Sequence, residues 1–283
     1  MTEIDFAWQD RIARARQLLE AQLDEELSLE ELAQAAAYSV FHFHRLFRAA
    51  TGETVRQYTR RLRLERAAHR LTVGQDDILP IAMDAGYTSH EAFTRAFVAR
   101  FETTPSAFRE ARREVHQHRI TPMQDIEVRI EQRQPVRVAF VRNVGPYNTS
   151  GEAWNKLMKW GWTKMMFKPP ETFGLGYDDP DVTPAEQCRY DACMVIKDKT
   201  KVKPPVETKD FPGGAYVVTL HEGPFEEISN TYAKLFARVA SGPIDGKSWM
   251  LGDPPSLEKY LNDPRKTKPE DLRTEVWMPV CPA

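Results

Sequence analysis

The sequence predicts a multidomain chain of two classes: an all-α N-terminal domain with two helix-turn-helix units, then an α+β domain of two pseudo-symmetric β-α-β-β halves. Three observations predict this. Apolar residues recur at three- and four-residue spacing through the first part of the chain and alternate from Ile126 onward, a switch from helical to strand period. The run Phe43, Arg45, Phe47 returns 50 residues later as Phe93, Arg95, Phe97, with Tyr58 returning as Phe108. A second duplication carries Asp179-Pro180, Thr183, Glu186, Arg189, Asp191 and Met194 onto Asp263-Pro264, Thr267, Glu270, Arg273, Glu275 and Met278, 84 residues on. The boundaries that follow are 1–114 for the helical domain, 115–124 for a linker and 125–283 for the α+β domain.

The first helix runs from Phe6 to Leu23, with Ile12, Ala15, Leu18, Leu19 and Leu23 as its inner stripe. Its outer face and the following turn are acidic (Glu20, Asp24, Glu25, Glu26), so that side turns away from phosphate. Short amphipathic helices at Leu29–Ala36 and Ile78–Ala85 each lead through a tight turn into a second helix. Ser39 caps the first of these, and Phe43, Leu46 and Phe47 form its inward stripe. At the matching point of the two turns stand Ala37 and Gly86; Gly86 is expected at positive φ. Helix, turn, helix, twice over, is a DNA-binding arrangement, the competing reading being an ordinary surface helix. Between the units, Val55 to Leu71 forms a long helix carrying Arg56, Arg60, Arg61, Arg63, Arg66 and Arg70. Every basic residue up to Arg142 other than His is Arg, suited to bidentate contact with phosphate and guanine.

The pieces Leu29-x-x-Leu32-Ala33, Ile81-Ala82-x-x-x-Gly86-Tyr87 and Phe93-x-Arg95-x-Phe97-x-x-x-Phe101-x-x-x-Pro105-x-x-Phe108-Arg109 resemble the DNA-binding domain of the AraC/XylS transcription regulators. The resemblance implies two recognition helices facing successive major grooves of double-stranded DNA, joined by the long helix. It and outward position nominate Phe41, His44, Arg45 and Arg48 in the first unit and Ser89, His90, Glu91 and Arg95 in the second. Phe41 suits a thymine methyl, an Arg can fork onto guanine, and Glu91 would read a cytosine amino group.

Bulk properties set limits. The net charge of −2 argues against a generally basic nucleic-acid coat protein, so any DNA site is a local patch. The start Met-Thr-Glu-Ile-Asp-Phe is no signal peptide, and no stretch is long enough to span a membrane. Cys188, Cys193 and Cys281, without CxxC spacing, suit a reducing cytoplasm. No cofactor or metal is expected; His116 and His118 stand in a polar linker without further ligands.

In the second domain, Ile126, Val128 and Ile130, then Val136, Val138 and Phe140, read as strands. Helices follow at Thr149–Met166 and Phe225–Val239. Val138-x-Phe140 with Gly145-Pro146-Tyr147 reads as the mate of Val218-x-Leu220 with Gly223-Pro224-Phe225. The segments Cys188-Arg189-Tyr190-Asp191, Gly213-Gly214-x-Tyr216, His221-x-Gly223-Pro224, Glu258-x-Tyr260-x-Asn262-Asp263-Pro264 and Arg273-Thr274-Glu275 resemble GyrI-like small-molecule-binding domains. Such domains bind lipophilic, often cationic compounds, and a few relatives are hydrolases. The resemblance points to Glu275 as the acid for a cation, and period two puts Trp277 beside it. Carboxylate plus rings suits such a ligand through charge pairing and cation–π contact. Tyr147, Trp154 and Tyr177 are candidate walls, alongside Trp160, Trp162 and Trp249. The competing reading of Glu275 is a salt bridge to Arg189 or Arg273. Asp191 is its repeat mate but is not assigned the same role.

Three functions compete. One is a transcription regulator that senses a small-molecule effector, acting as monomer or homodimer with RNA polymerase as a further partner. Another is a Glu-dependent hydrolase of reactive small molecules. The third is a protein-binding, gyrase-inhibitor-like module.

Overall fold

The computed structural model describes residues 3–73, 76–119, 126–165, 169–253 and 255–282. The chain divides into two compact units, Met1–Arg109 and Glu110–Ala283.

The first unit is helical: α1 (Glu3–Ala21), α2 (Leu29–Ala35), α3 (Val40–Thr51), α4 (Val55–Val73), α5 (Ile78–Asp84), α6 (His90–Phe101) and α7 (Pro105–Arg119), whose last residues belong to the second unit. α7 runs five residues into the span expected as linker, so the chain is helical from 115 to 119; residues 120–125 lie outside the described residues, as do the side chains of His116 and His118. A capping box starts α2, with Ser28 accepting from the Glu31 amide and Glu31 bonding back to the Ser28 amide. Ser39 and Ser89 cap α3 and α6 by accepting from His42 and Ala92 amides.

The repeat at 50 is a repeat in packing. Phe43, Phe47 and Tyr58 stack at ring distances of 5.6 and 5.5 Å, and Phe93, Phe97 and Phe108 at 5.5 and 5.4 Å. Both turns also close alike. The Tyr38 amide donates to the Ala33 carbonyl and the Tyr87 amide to that of Ala82. Gly86 takes φ +82°, as expected, and Ala37 takes φ +53° in the same turn. The helix ends invert this pairing: α3 stops on Gly52 at φ +77°, α6 on Glu102 at φ +59°.

The second unit holds β1 (Arg129–Arg133), β2 (Val136–Val144), α8 (Gly151–Met165), β3 (Thr172–Gly176), β4 (Arg189–Val195), β5 (Glu207–Phe211), β6 (Gly214–Glu222), α9 (Ile228–Ala240), β7 (Trp249–Leu251), β8 (Ser256–Tyr260) and β9 (Arg273–Pro282). Its antiparallel sheet runs β1-β6-β9-β8-β3-β4-β2-β5, with β7 on β9. This order is a palindrome of the repeat. Each half is β-α-β-β, and the strand that precedes each half crosses over to edge the other half: β1 on β6, β5 on β2. The sequence did not signal that exchange. Register also corrects one repeat alignment. Arg142 faces Asp191 and Leu220 faces Glu275, so the mates in β2 and β6 are Phe140 with Val218, and Arg142 with Leu220.

Both sheet faces are packed. Val141, Leu157 and Met194 gather with α8, and Val217, Leu235, Val276 and Met278 with α9. Val138, Phe140, Phe173, Phe211, Tyr216, Val218 and Trp277 fill the opposite face.

Candidate functional site

In the first unit the residues nominated for DNA separate into two groups. Phe41 (69 % exposed), Arg45, Arg48, His90 and Arg95 are exposed, and His44 is half-buried. Arg45 lies 5.7 Å from the Phe41 ring centroid, one turn along α3, so both present the same outer face. Ser89 and Glu91, expected as base readers, are engaged elsewhere. The Ser89 hydroxyl accepts from the helix start, and Glu91 is held below the usual carboxylate range by its own backbone N–H and by Ser89. An acid in the first turn of α6 complements the helix dipole, which accounts for a residue ill-suited to phosphate.

The arginine-rich helix α4 is likewise divided. Arg61 bonds Glu53 and Glu65 in a largely buried cluster that Arg100 joins. Arg63 donates to the Leu23 and Glu25 carbonyls, Arg66 pairs with Asp24, and Arg70 with Asp84. Four of the six arginines therefore hold the unit together. Arg56 and Arg60 are exposed and have no ion-pair partner among the described residues. The outward basic set is Arg45, Arg48, Arg56, Arg60 and Arg95.

In the second unit the five residues expected to share one pocket fall on opposite faces of the sheet. Glu275 and Trp277 lie on the face away from the helices. Glu275 accepts from Arg129 (2.7 Å) and from the Trp277 indole (3.3 Å), and its side chain is 16 % exposed. Its ion-pair partner is thus Arg129, neither Arg189 nor Arg273. Trp277 is core. Tyr177 donates to Asp191, which is fully buried, forked by Arg142 (2.7 and 2.9 Å) and bonded by Lys209. Those two cations hold the Asp191 carboxyl far below its usual range, and desolvation pushes the adjoining Cys193 thiol up to about 12. Glu275, Tyr177 and Asp191 are thus each already paired on this face.

Tyr147 and Trp154 lie on the helix face, and there they meet an acid that was not singled out. Glu258, in β8, sits between the two halves. The Tyr260 hydroxyl donates to it at 2.7 Å and that of Tyr232 at 3.3 Å. Tyr190 and Tyr260 hydroxyls are 2.6 Å apart, and the Trp154 indole donates to Tyr190 at 3.1 Å. With Tyr260 spending its proton on Glu258, the chain runs one way, from Trp154 through Tyr190 and Tyr260 to the carboxylate. The rings of Trp154 and Phe225 stand edge-on to Tyr260 at 5.5 and 5.4 Å, and Tyr147 to Tyr190 at 6.0 Å. Glu258 and Tyr260 are half-buried rather than sealed. Burial nevertheless raises the Glu258 carboxyl above its usual range, against the pull of its two tyrosine donors. Burial pushes the hydroxyls of Tyr147, Tyr190, Tyr232 and Tyr260 well above the ordinary tyrosine range, so they remain neutral donors.

The duplication builds this cluster. Tyr147 and Phe225 are mates in the turns that open each helix, and Trp154 and Tyr232 are mates one helix turn or more further on, both pairs 78 residues apart. The strand residues break the symmetry: Glu258 and Tyr260 have Gly174 and Gly176 as mates, 84 residues earlier. Gly174 is also the cross-strand partner of Glu258, and a Cβ there would collide with the Tyr190 hydroxyl. The pair Glu258-x-Tyr260 was legible as two residues on one strand face. What the sequence lacked was the direction of that face. Among the described residues no group of three His, Cys, Asp or Glu side chains is placed to hold a metal ion, and no helix is long and apolar enough to cross a membrane.

Comparison with known proteins follows the division into units. Residues 126–280 match the family described as GyrI-like small molecule binding domain, and residues 32–111 a helix-turn-helix domain family. The SPbeta prophage-derived protein YosT of Bacillus subtilis is 30 % identical over 139 residues, 48 % of this chain and 90 % of that protein. Transcriptional regulator Rob of Salmonella typhimurium is 39 % identical over 93 residues, so this chain spans about a third (32 %) of Rob's length. Regulatory protein SoxS of Escherichia coli is 36 % identical over 91 residues, 32 % of this chain and 85 % of SoxS. Among solved structures, a Chromobacterium violaceum regulator with an AraC-type DNA-binding domain is 30 % identical over 37 % of this chain and 93 % of that one, TM-score 0.35. The EcmrR C-terminal domain is 18 % identical, covering 56 % of this chain and all of that one, TM-score 0.45.

Proposed function

Since the chain belongs to the GyrI-like small-molecule-binding family and carries an AraC-type DNA-binding domain, and is therefore a DNA-binding transcription regulator with an effector domain, we propose that its effector is a lipophilic cation held at Glu258. The observation that carries this is a carboxylate, raised by burial, at the meeting point of Trp154, Tyr190, Phe225, Tyr232 and Tyr260. A cation there regains the Coulomb energy that desolvation withholds from the acid and adds contact with ring faces, about 0.5–2 kcal/mol each. Glu275 is already neutralised by Arg129 and offers no such gain.

Titration with tetraphenylphosphonium, followed by tryptophan fluorescence, tests the assignment. Glu258→Gln should weaken binding by roughly tenfold or more, the equivalent of about 1.4 kcal/mol, and Glu275→Gln should leave it unchanged. The reverse pattern would return the site to Glu275. Sequence-specific reading of DNA is assigned to α3 and α6, through Phe41, His44, Arg45 and Arg48 and through His90 and Arg95. Gel shifts of promoter DNA should weaken with Arg45→Ala. The effector domain acts in the cytoplasm, as monomer or dimer, and polymerase contact is part of the same proposal.

A second reading has one observation in its favour. An acid with an upward-shifted pKa, next to tyrosine hydroxyls, is suited to general-base attack on a reactive ligand. Turnover of an electrophilic compound that disappears in Glu258→Gln would establish it.

A further inference from the structure

The first unit contains a cleft of about 1140 Å³ whose position between the two helix-turn-helix units has a bearing on how DNA is seated. Its walls include His44 of α3 and Arg95 of α6, one from each recognition helix. Along α4 it is lined by Arg56 and Arg60, the two arginines of that helix that have no ion-pair partner among the described residues. The α1–α2 loop also lines it, with Glu25 and Glu26. Arg63 fastens that loop to α4 through the Leu23 and Glu25 carbonyls, and it lies so close to Gly86 that a Cβ there would come within 2.6 Å of its Nη1. The cleft is therefore a tied structure lined by both cationic and anionic side chains.

Two recognition helices that enter successive major grooves on one side of a duplex leave the minor groove, with its two bordering phosphate strands, facing the protein between them. Resting on the assignment of α3 and α6 as the reading helices, we propose that this cleft seats a phosphodiester strand bordering that minor groove. Arg56 and Arg60 hold its phosphates, and Glu25 and Glu26, which also line the cleft, repel it and so restrict where it can sit. These contacts position the duplex and carry no base information, unlike Arg45 and Arg95.

The test uses the full chain and two duplexes of about 30 base pairs, long enough for two successive major grooves: one of random sequence, one obtained by selection against the protein. Binding is followed by fluorescence anisotropy across a salt series. Arg56→Gln and Arg60→Gln should each lower the slope of log affinity against log salt by about 0.9 on both duplexes, with the ratio of affinities for the two unchanged. Glu25→Gln with Glu26→Gln should tighten binding to both. Thermal melts confirm that each variant is folded. An unchanged slope overturns the proposal, as does a fall in the affinity ratio, which would make these arginines base readers. Failure of the double Glu variant to tighten binding overturns the repelling role of the two acids. If wild type fails to distinguish the two duplexes, the reading-helix assignment itself has failed, an outcome separate from the others.

Discussion

Among the described residues of the first unit, four backbone positions share one left-handed conformation, and only two of them are glycine. Ala37 and Glu102 adopt it with a Cβ, at a cost of about 1–2 kcal/mol each. Ala37→Gly and Glu102→Gly should therefore each stabilise the unit by roughly 1 kcal/mol in urea titration, whereas Gly86→Ala should destabilise it by more, because Arg63 stands in the way as well. Glu258 makes a pH prediction. Its folded pKa lies above its unfolded one, so its contribution to stability is full below the ordinary carboxylate range and is lost as pH rises through the raised value. Glu258→Gln should abolish that slope in pH-dependent melts. A bound cation competes with the same proton, so tetraphenylphosphonium affinity should rise with pH over that interval and then level off.

At the level of elements, α4 illustrates how charge misleads when read along a chain. Its six arginines suggested a phosphate-facing helix, yet four are internal fasteners: Arg61, Arg66 and Arg70 meet acids (Glu53, Glu65, Asp24, Asp84) and Arg63 meets backbone carbonyls, with partners up to 42 residues away in sequence. Arg61→Leu should cost about 1–3 kcal/mol, since it removes the bonds to Glu53 and one of the two arginines that pair with the buried Glu65, Arg100 being the other; Arg56→Gln should cost almost nothing in the same denaturation assay. Period and repetition made the helices, both turns and the doubled α+β halves legible, since each rests on local spacing. The two acids of the sheet were not distinguishable that way. Glu258 and Glu275 both alternate with an aromatic in a strand, and only the packing of α8 and α9 on one face decides which acid meets rings from two halves. Cross-strand exchange of β1 and β5 was equally hidden, because a strand's partner is set by the whole sheet.

For the whole molecule, two separate cores imply two separable stabilities. Calorimetry should show two transitions, one raised by DNA and the other by tetraphenylphosphonium, each by about 2.7 kcal/mol at a ligand concentration a hundredfold above Kd. A ligand that moved both transitions would measure the coupling on which regulation depends. The second transition should be lowered by Gly174→Ala, since the added methyl meets the Tyr190 hydroxyl and disturbs its link to Tyr260. The glycines opposite Glu258 and Tyr260 have one more result. Two equivalent halves would ordinarily place two equivalent acids, but here one half supplies the acid and its counterpart supplies a glycine against which the Tyr190 hydroxyl packs. If Glu258 is the anchor, a guest would lie across the midline in a single orientation, its charged end committed to one side, and titration should find one such guest per polypeptide.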